Sequence, residues 1–351
     1  MKIVLSVILI LICILALLPV IFGGWGAYYE GPTSDHFDGS RFFNPGPHRD
    51  ISLWDLLRWK ATAHPKPWPA HVAVTSFDTP PARIEGAQLR VSYIGHATIL
   101  IQTQGLNILT DPVWSERASP FNWIGPKRVQ EPGVPLDKLP HIDVVLISHD
   151  HYDHMDLATI RQLWQRDQPI IVAPLGNDAL IWDYDPLIKV DALDWHQSSP
   201  LAKDVTVHLE PAQHWSGRWP WDHDRALWGA YVLTTPAGNI YFAGDTGYGN
   251  GELFRQAQQK FGTFRLALLP IGTYEPRWFM NLVHMTPEEA VQAHRDLSAR
   301  YSLAIHHDVF PLADEGYGEA TKALVEARNR YQITEEQFRT LEVGQSWDVK
   351  E

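Results

Sequence analysis

Cysteine is almost missing from this chain: Cys13 is the only one, so intrachain disulfides and thiolate metal sites are both excluded. Basic runs are missing too. The 29 Lys and Arg against 41 Asp and Glu leave a formal net charge of -12, which argues against a nucleic-acid surface. No repeat recurs at a period of about 20–50 residues, and no Gly- or Pro-rich stretch marks a hinge, so one large core is expected. Long uncharged apolar runs are absent with one exception, residues 3–22, mostly Ile, Leu and Val. At about 1.5 Å per residue such a run spans a hydrocarbon core of about 30 Å. It exceeds the usual apolar region of a signal peptide, and Gly24-Trp25-Gly26 makes a poor cleavage site, so an uncleaved anchor is expected over residues 1–25. Lys2 precedes the run while Glu30, Asp35 and Asp38 follow it, which places the globular part outside the cytoplasm.

What the chain does have is histidine in one place. Ser148-His149-Asp150-His151-Tyr152-Asp153-His154-Met155-Asp156 follows the apolar run Val144-Val145-Leu146-Ile147, which reads as a buried strand of a mostly parallel sheet. Side chains two apart on extended backbone share a face, so His149 and His151 can grip one ion, while Asp153 and His154 suit a second beside it. Leu157, Ile160, Leu163 and Trp164 then recur at helical spacing. Other polar residues stand where strands should stop: His214 beyond Leu209, Asp245 in the glycine-flanked turn Gly244-Asp245-Thr246-Gly247, and His306-His307 after Leu303-Ala304-Ile305. Catalytic groups of layered α/β folds collect at one such edge.

The remaining chain reads as three successive strands from Leu89, with Gly95-His96-Ala97 punctuating the first two and Asp111-Pro112 closing the third. Strands and helices alternate after the histidine-rich turn. Thr286-Pro287-Glu288-Glu289 is a capping box opening a helix to about Ala299, and Thr334 to Gln337 repeats the device. Residues 26–83 read as a linker and covering segment with one short helix around Leu53, Leu56, Leu57 and Trp59, and residues 84–351 as the main domain.

These motifs resemble the metallo-β-lactamase superfamily, and within it the N-acyl-phosphatidylethanolamine-hydrolysing phospholipase D family. The resemblance is carried by His149-x-His151-x-Asp153-His154, by Tyr93-Ile94-Gly95-His96-Ala97-Thr98, and by Ser119-Pro120 with Gly125-Pro126-Lys127-Arg128. Pro211-Ala212-Gln213-His214-Trp215, Leu227-Trp228-Gly229, Phe242 to Tyr248 and Pro270 to Met280 extend it. It implies an α/β fold, a four-layer αβ/βα sandwich preceded here by the N-terminal transmembrane helix. It implies that His149, His151 and His214 hold one metal, that Asp153, His154 and His306 hold a second, and that Asp245 bridges them. Of the two adjacent histidines, the resemblance favours His306 over His307. Imidazole and carboxylate without thiolate suit Zn²⁺, with Fe or Mn also compatible. His284 matches a family histidine beside the site and is a candidate proton or hydrogen-bond donor; equally, it can be a helix-entry histidine. Tyr152 either orients substrate or packs, and Arg277-Trp278-Phe279-Met280 is either a lipid-facing rim or a packed hairpin.

The implied activity is a phospholipase D-type phosphodiesterase that takes a membrane phospholipid as substrate and releases N-acylethanolamine and phosphatidic acid. Two other readings stay open: a lactonase or nucleotide phosphodiesterase on the same scaffold, and a non-catalytic membrane-anchored metal-binding protein.

Overall fold

Apolar runs without polar interruption make strands covered on both faces, and alternation decides which face each side chain serves. In the run at residues 144–147, Val144 and Leu146 enter one buried cluster while Val145 and Ile147 enter another. The structure, a computed structural model, describes residues 28–44, 53–202 and 204–351. The expected membrane span at residues 3–22 lies outside these; among the described residues no helix is long and apolar enough to cross a membrane.

The first sheet contains β1 (Leu89–Gly95), β2 (Thr98–Thr103), β3 (Leu106–Thr110), β4 (Val144–Leu146), β5 (Ile170–Pro174), β6 (Val190–Leu193) and β14 (Ser346–Val349). Their order is β14-β1-β2-β3-β4-β5-β6. The second sheet contains β7 (Ser198–Ala202), β8 (Val205–Glu210), β9 (Ala230–Thr234), β10 (Asn239–Phe242), β11 (Phe264–Pro270), β12 (Ala299–Ile305) and β13 (Phe338–Arg339), in the order β13-β12-β11-β10-β9-β8-β7. The sheets are mixed, not mostly parallel. In the first, β14, β1, β2 and β3 pair antiparallel, while β3 to β6 pair parallel. The second repeats the division, antiparallel from β7 to β10 and parallel from β10 to β13. The run at 144–147 reads as parallel because β4 itself has parallel neighbours on both sides; the tight turns joining β1, β2 and β3 force antiparallel pairing beside it.

Four layers result. Helices α2 (Leu157–Asp167) and α3 (Asn177–Tyr184) pack on the outer face of the first sheet through Ile160, Leu163 and Ile181. The inner faces of both sheets share the central core, where Ile101, Ile108 and Val172 meet Val207, Leu233 and Leu266. Helices α4 (Glu252–Phe261), α6 (Pro287–Asp296) and α7 (Glu319–Tyr331) cover the second sheet through Phe254, Val291 and Leu324. Two further helices, α1 (Leu53–Thr62) and α5 (Arg277–Met280), pack together where Trp59 stacks on Phe279 at 5.0 Å. Residues 277–280 are thus a helical turn with Phe279 and Met280 buried, neither an exposed rim nor a hairpin.

Side-chain caps form at the starts of α2 and α6. Asp156 accepts from the backbone N–H groups of Ala158 and Thr159 at the start of α2, and the box of Thr286 and Glu289 forms in full at α6. Helix α6 stops at Asp296, because the chain is needed as β12 from Ala299. Thr334 and Gln337 make the same reciprocal bonds, yet only a single turn follows before β13. Phe37 and Phe42 of the N-terminal segment lie buried in the central core.

Candidate metal centre

β1, β3, β4 and, in the other sheet, β8, β10, β11 and β12 all end at one edge, and each is followed within a few positions by a polar residue. His96 follows β1, Asp111 follows β3, and Ser148 to His154 follow β4. From the other sheet come His214 after β8, Asp245 after β10, Thr273 after β11 and His306 after β12. The two edges are stitched together here: Gly229 N–H donates to Ser148 O (3.1 Å) and His306 N–H to His96 O (2.9 Å). His96, Asp111, Thr273 and His306 all have positive φ, from 33° to 61°. Such backbone costs on the order of 1 kcal/mol or more per residue, and it gathers where function has positioned a side chain. Gly244 permits a close approach: its φ is +57°, and a Cβ there would meet Ser148 Cβ at 2.5 Å.

Two groups of ligand atoms result. His149 Nε2, His151 Nδ1 and His214 Nε2 face one another, with separations of 2.8 Å between the first two and 3.3 Å between the last two. Asp153, His154, His306 and His96 form the second group, with Asp153 Oδ2 at 2.9 Å from His96 Nε2 and 3.4 Å from the Nε2 atoms of His154 and His306. Asp245 Oδ2 stands between the groups, 3.0 Å from His306 Nε2, 3.2 Å from His154 Nε2 and 3.9 Å from His214 Nε2. His284 Nδ1 lies 3.8 Å from the same oxygen. Apart from His96 Nε2 to Asp153 Oδ2 and the contacts of His151 Nδ1 with His149 and His214, these close approaches are not aligned hydrogen bonds: buried His151 Nε2, His154 Nε2, His284 Nδ1, His306 Nε2 and Asp245 Oδ1 have no hydrogen-bond partner. Buried polar atoms left this way are costly unless something else binds them. A thiolate-free set of imidazoles and carboxylates with orphaned, converging donor atoms fits divalent metal ions.

A second ring of contacts aims the imidazoles. Asp111, fully buried, accepts from His154 Nδ1 (2.6 Å) and from the Ser148 backbone (2.7 Å) and hydroxyl (2.6 Å), leaving His154 Nε2 to face the site. His214 Nδ1 donates to Val283 O at 3.0 Å, which turns Nε2 inward. Burial by itself would raise Asp245 and Asp153, but the adjoining His306 and His154 hold both carboxyls well below their ordinary range. Burial opposes charge on His306 as well, yet Asp245 lifts it to about 9. Burial dominates at His149, His151 and His284, keeping them neutral, and brings His214 down to about 4. Neutral imidazoles are the metal-binding form.

His149, His151, Asp153, His154, His214, Asp245 and His306 therefore converge, and His284 joins them. His307 does not: its ring stacks on Tyr93 at 5.5 Å and its Nδ1 meets Asp308 at 3.1 Å. Tyr152 lies beside the cluster, its ring under the Arg218 guanidinium at 3.9 Å. It lines a cavity of about 420 Å³ together with Met155, Phe121, Arg117, Arg218 and Trp219. Sequence reasoning missed His96 and Asp111 as site residues, treating them as turn punctuation; their position one residue past a strand end was the available signal. It also missed Arg277, which donates to His284 O (3.0 Å) and pairs with Glu289 (3.0 Å), fixing the chain at His284.

Comparison with known proteins gives consistent likenesses. The model of the "Beta-lactamase superfamily domain" matches residues 106–307. An N-acyl-phosphatidylethanolamine-hydrolyzing phospholipase D of Caenorhabditis elegans is 36% identical over 275 residues, covering 75% of this chain and 76% of that protein. A mitochondrial protein of the same description from Saccharomyces cerevisiae is 33% identical over 247 residues, 68% of this chain and 52% of that one. Among solved structures, the isothiocyanate hydrolase from Delia radicum gut bacteria superposes with a TM-score of 0.58 at 20% identity, covering 74% of this chain and 98% of the other.

Proposed function

Because this chain belongs to the metallo-β-lactamase superfamily of metal-dependent hydrolases, and within it to the N-acyl-phosphatidylethanolamine-hydrolysing phospholipase D family, we propose that it hydrolyses N-acyl-phosphatidylethanolamine-type phospholipids at a pair of zinc ions. The observation that carries this reading is Asp245 Oδ2, one carboxylate oxygen within 3.9 Å of imidazole nitrogens from both ligand groups. His149, His151 and His214 would hold one ion, Asp153, His154 and His306 the other, and Asp245 would bridge. Two bound ions would supply an activated water near neutral pH and positive charge beside the phosphoryl oxygens.

The chain's own residues account for the rest. Asp111 and the Val283 carbonyl hold His154 and His214 in the tautomers that point Nε2 inward. His284 is buried, neutral and pinned through its carbonyl by Arg277, so its ring can present an N–H to the leaving oxygen. Tyr152 borders both the cluster and the cavity of about 420 Å³, whose aromatic and cationic lining suits the glycerophosphate part of a lipid. Water oxygen joins phosphorus, the bond from phosphorus to the ethanolamine oxygen breaks, and that oxygen takes a proton, giving phosphatidic acid and N-acylethanolamine. An anchor at residues 3–22 would hold the enzyme in the bilayer that contains its substrate.

The test offers purified protein N-acyl-phosphatidylethanolamine, a lactone panel and a cyclic nucleotide, with the lipid run in ¹⁸O-labelled water. Lipid turnover with label on phosphatidic acid is expected. Label in the ethanolamide would reject attack at phosphorus, and lactone turnover without lipid turnover would assign the site to a lactonase.

A further inference from the structure

His214 is the one member of its trio that does not come from the turn after β4, so something else must set its place. The structure supplies two supports. Its ring is held at Nδ1 by the Val283 carbonyl. Its backbone is held by a single side chain from far away in sequence, Asn44. The Asn44 amide donates from Nδ2 to His214 O (2.7 Å) and accepts at Oδ1 from His214 N–H (3.0 Å), so it engages both polar groups of that residue. The same oxygen accepts from Trp228 Nε1 at 3.2 Å. A primary amide is the side chain that offers a donor and an acceptor side by side, as a neighbouring strand would.

Asn44 belongs to a strap, residues 28–44, which also contacts the chain between His214 and β9 and that between β6 and β7. Tyr28 OH donates to Asp222 (2.8 Å), and Phe42 N–H donates to Asp224 O (2.8 Å). Phe37 and Phe42 anchor the strap in the central core, and His36 meets Asp194 at 2.7 Å. The strap itself, though not its partners, lies outside residues 106–307, the part matched by the superfamily model.

We propose that Asn44 is a positioning residue for the metal ligand His214, so that the N-terminal strap completes the first metal site. The inference rests on the metal reading above.

The test compares full-length wild type with Asn44→Ala, Asn44→Asp and His36→Ala. Zinc content is measured by elemental analysis and affinity by competition with graded chelators; thermal unfolding is followed with and without zinc. Loss of a group that orients a ligand costs about 10–100-fold in metal affinity. Asn44→Ala should therefore weaken one of two zinc equivalents by about that factor and shrink the zinc-induced rise in Tm. Asn44→Asp keeps the acceptor for the His214 N–H but not the donor, and should fall between. His36→Ala loosens the strap away from His214 and should lower metal-free stability with zinc affinity unchanged. Wild-type zinc affinity in Asn44→Ala, or equal weakening by Asn44→Ala and His36→Ala, would overturn the proposal while leaving the metal reading intact. If Asn44→Ala does not fold, Asn44→Asp with wild-type affinity overturns it equally. A wild type that takes up no metal removes both.

Discussion

At the scale of the residue, one carboxylate and one pair of neighbours carry the most information. Asp245→Asn removes the charge that stands between the two ligand groups while keeping its shape, so nearly all turnover should go while circular dichroism and the metal-free unfolding curve stay close to wild type. Turnover near wild type would show that Asp245 is no bridge. His306 and His307 are adjacent in sequence and opposite in role. His306 points into the cluster, 3.0 Å from Asp245, whereas His307 stacks on Tyr93. His306→Ala should empty one metal position, and His307→Ala should cost about 10–100-fold in affinity at most. The reverse pattern, read by elemental analysis, would exchange the assignments. The histidine-rich turn was legible because ligand types crowd a few adjacent positions. His96, Asp111 and Asn44 were not, because each stands alone among ordinary turn residues and acquires meaning only from partners 40 or more positions away or in another sheet.

At the scale of the element, helix α6 and strand β12 are joined by a buried histidine. His294 Nδ1 meets Ser302 Oγ at 2.8 Å, and its ring stacks on Phe338. Burial brings this imidazole down from 6.5 to about 4, with Arg295 adding to the effect. The unfolded chain therefore binds the proton more readily between those values. Stability from this group is complete above pH 6.5 and is lost as pH falls toward 4, by up to about 3 kcal/mol. His294→Gln retains a partner for Ser302 without the titration. Urea unfolding at pH 4 to 7 should show wild type losing more stability on acidification than the variant; parallel curves would sink the idea. Elements were legible where local chemistry and tertiary demand agree, as at the Thr286 box. The Thr334 box forms its bonds but starts no helix, because Phe338 is taken by β13 beside β12. The short strands β6, β7 and β14, four or five residues each, are too brief to stand alone and exist through pairing with β5, β8 and β1.

At the scale of the whole molecule, the expected consequence is attachment. The run at residues 3–22 is long enough to span a bilayer, and we propose that the charge around it would place the domain outside the cytoplasm. Protease added to intact cells with a permeable outer layer should remove the domain. Full protection, or a mature amino terminus near Gly26, would refute this topology.

By itself the sequence determined the parts that need only near neighbours: buried runs that make strands, caps that start helices, and a turn where five ligand-type groups fall within six positions. Those parts identify the family, because the chemistry of the turn does not depend on what packs against it. Tertiary structure alone showed that the distant candidates His214, Asp245 and His306 reach the turn, and it added His96, Asp111 and Asn44 to them. Two sheets meeting edge to edge bring Asp245 and His306 from one to His149 and His154 from the other, turn His307 away and lay Asn44 against His214. The reason is physical: a metal site is a point in space served by strand ends, and packing of the sheets, not spacing along the chain, sets which strand ends arrive there.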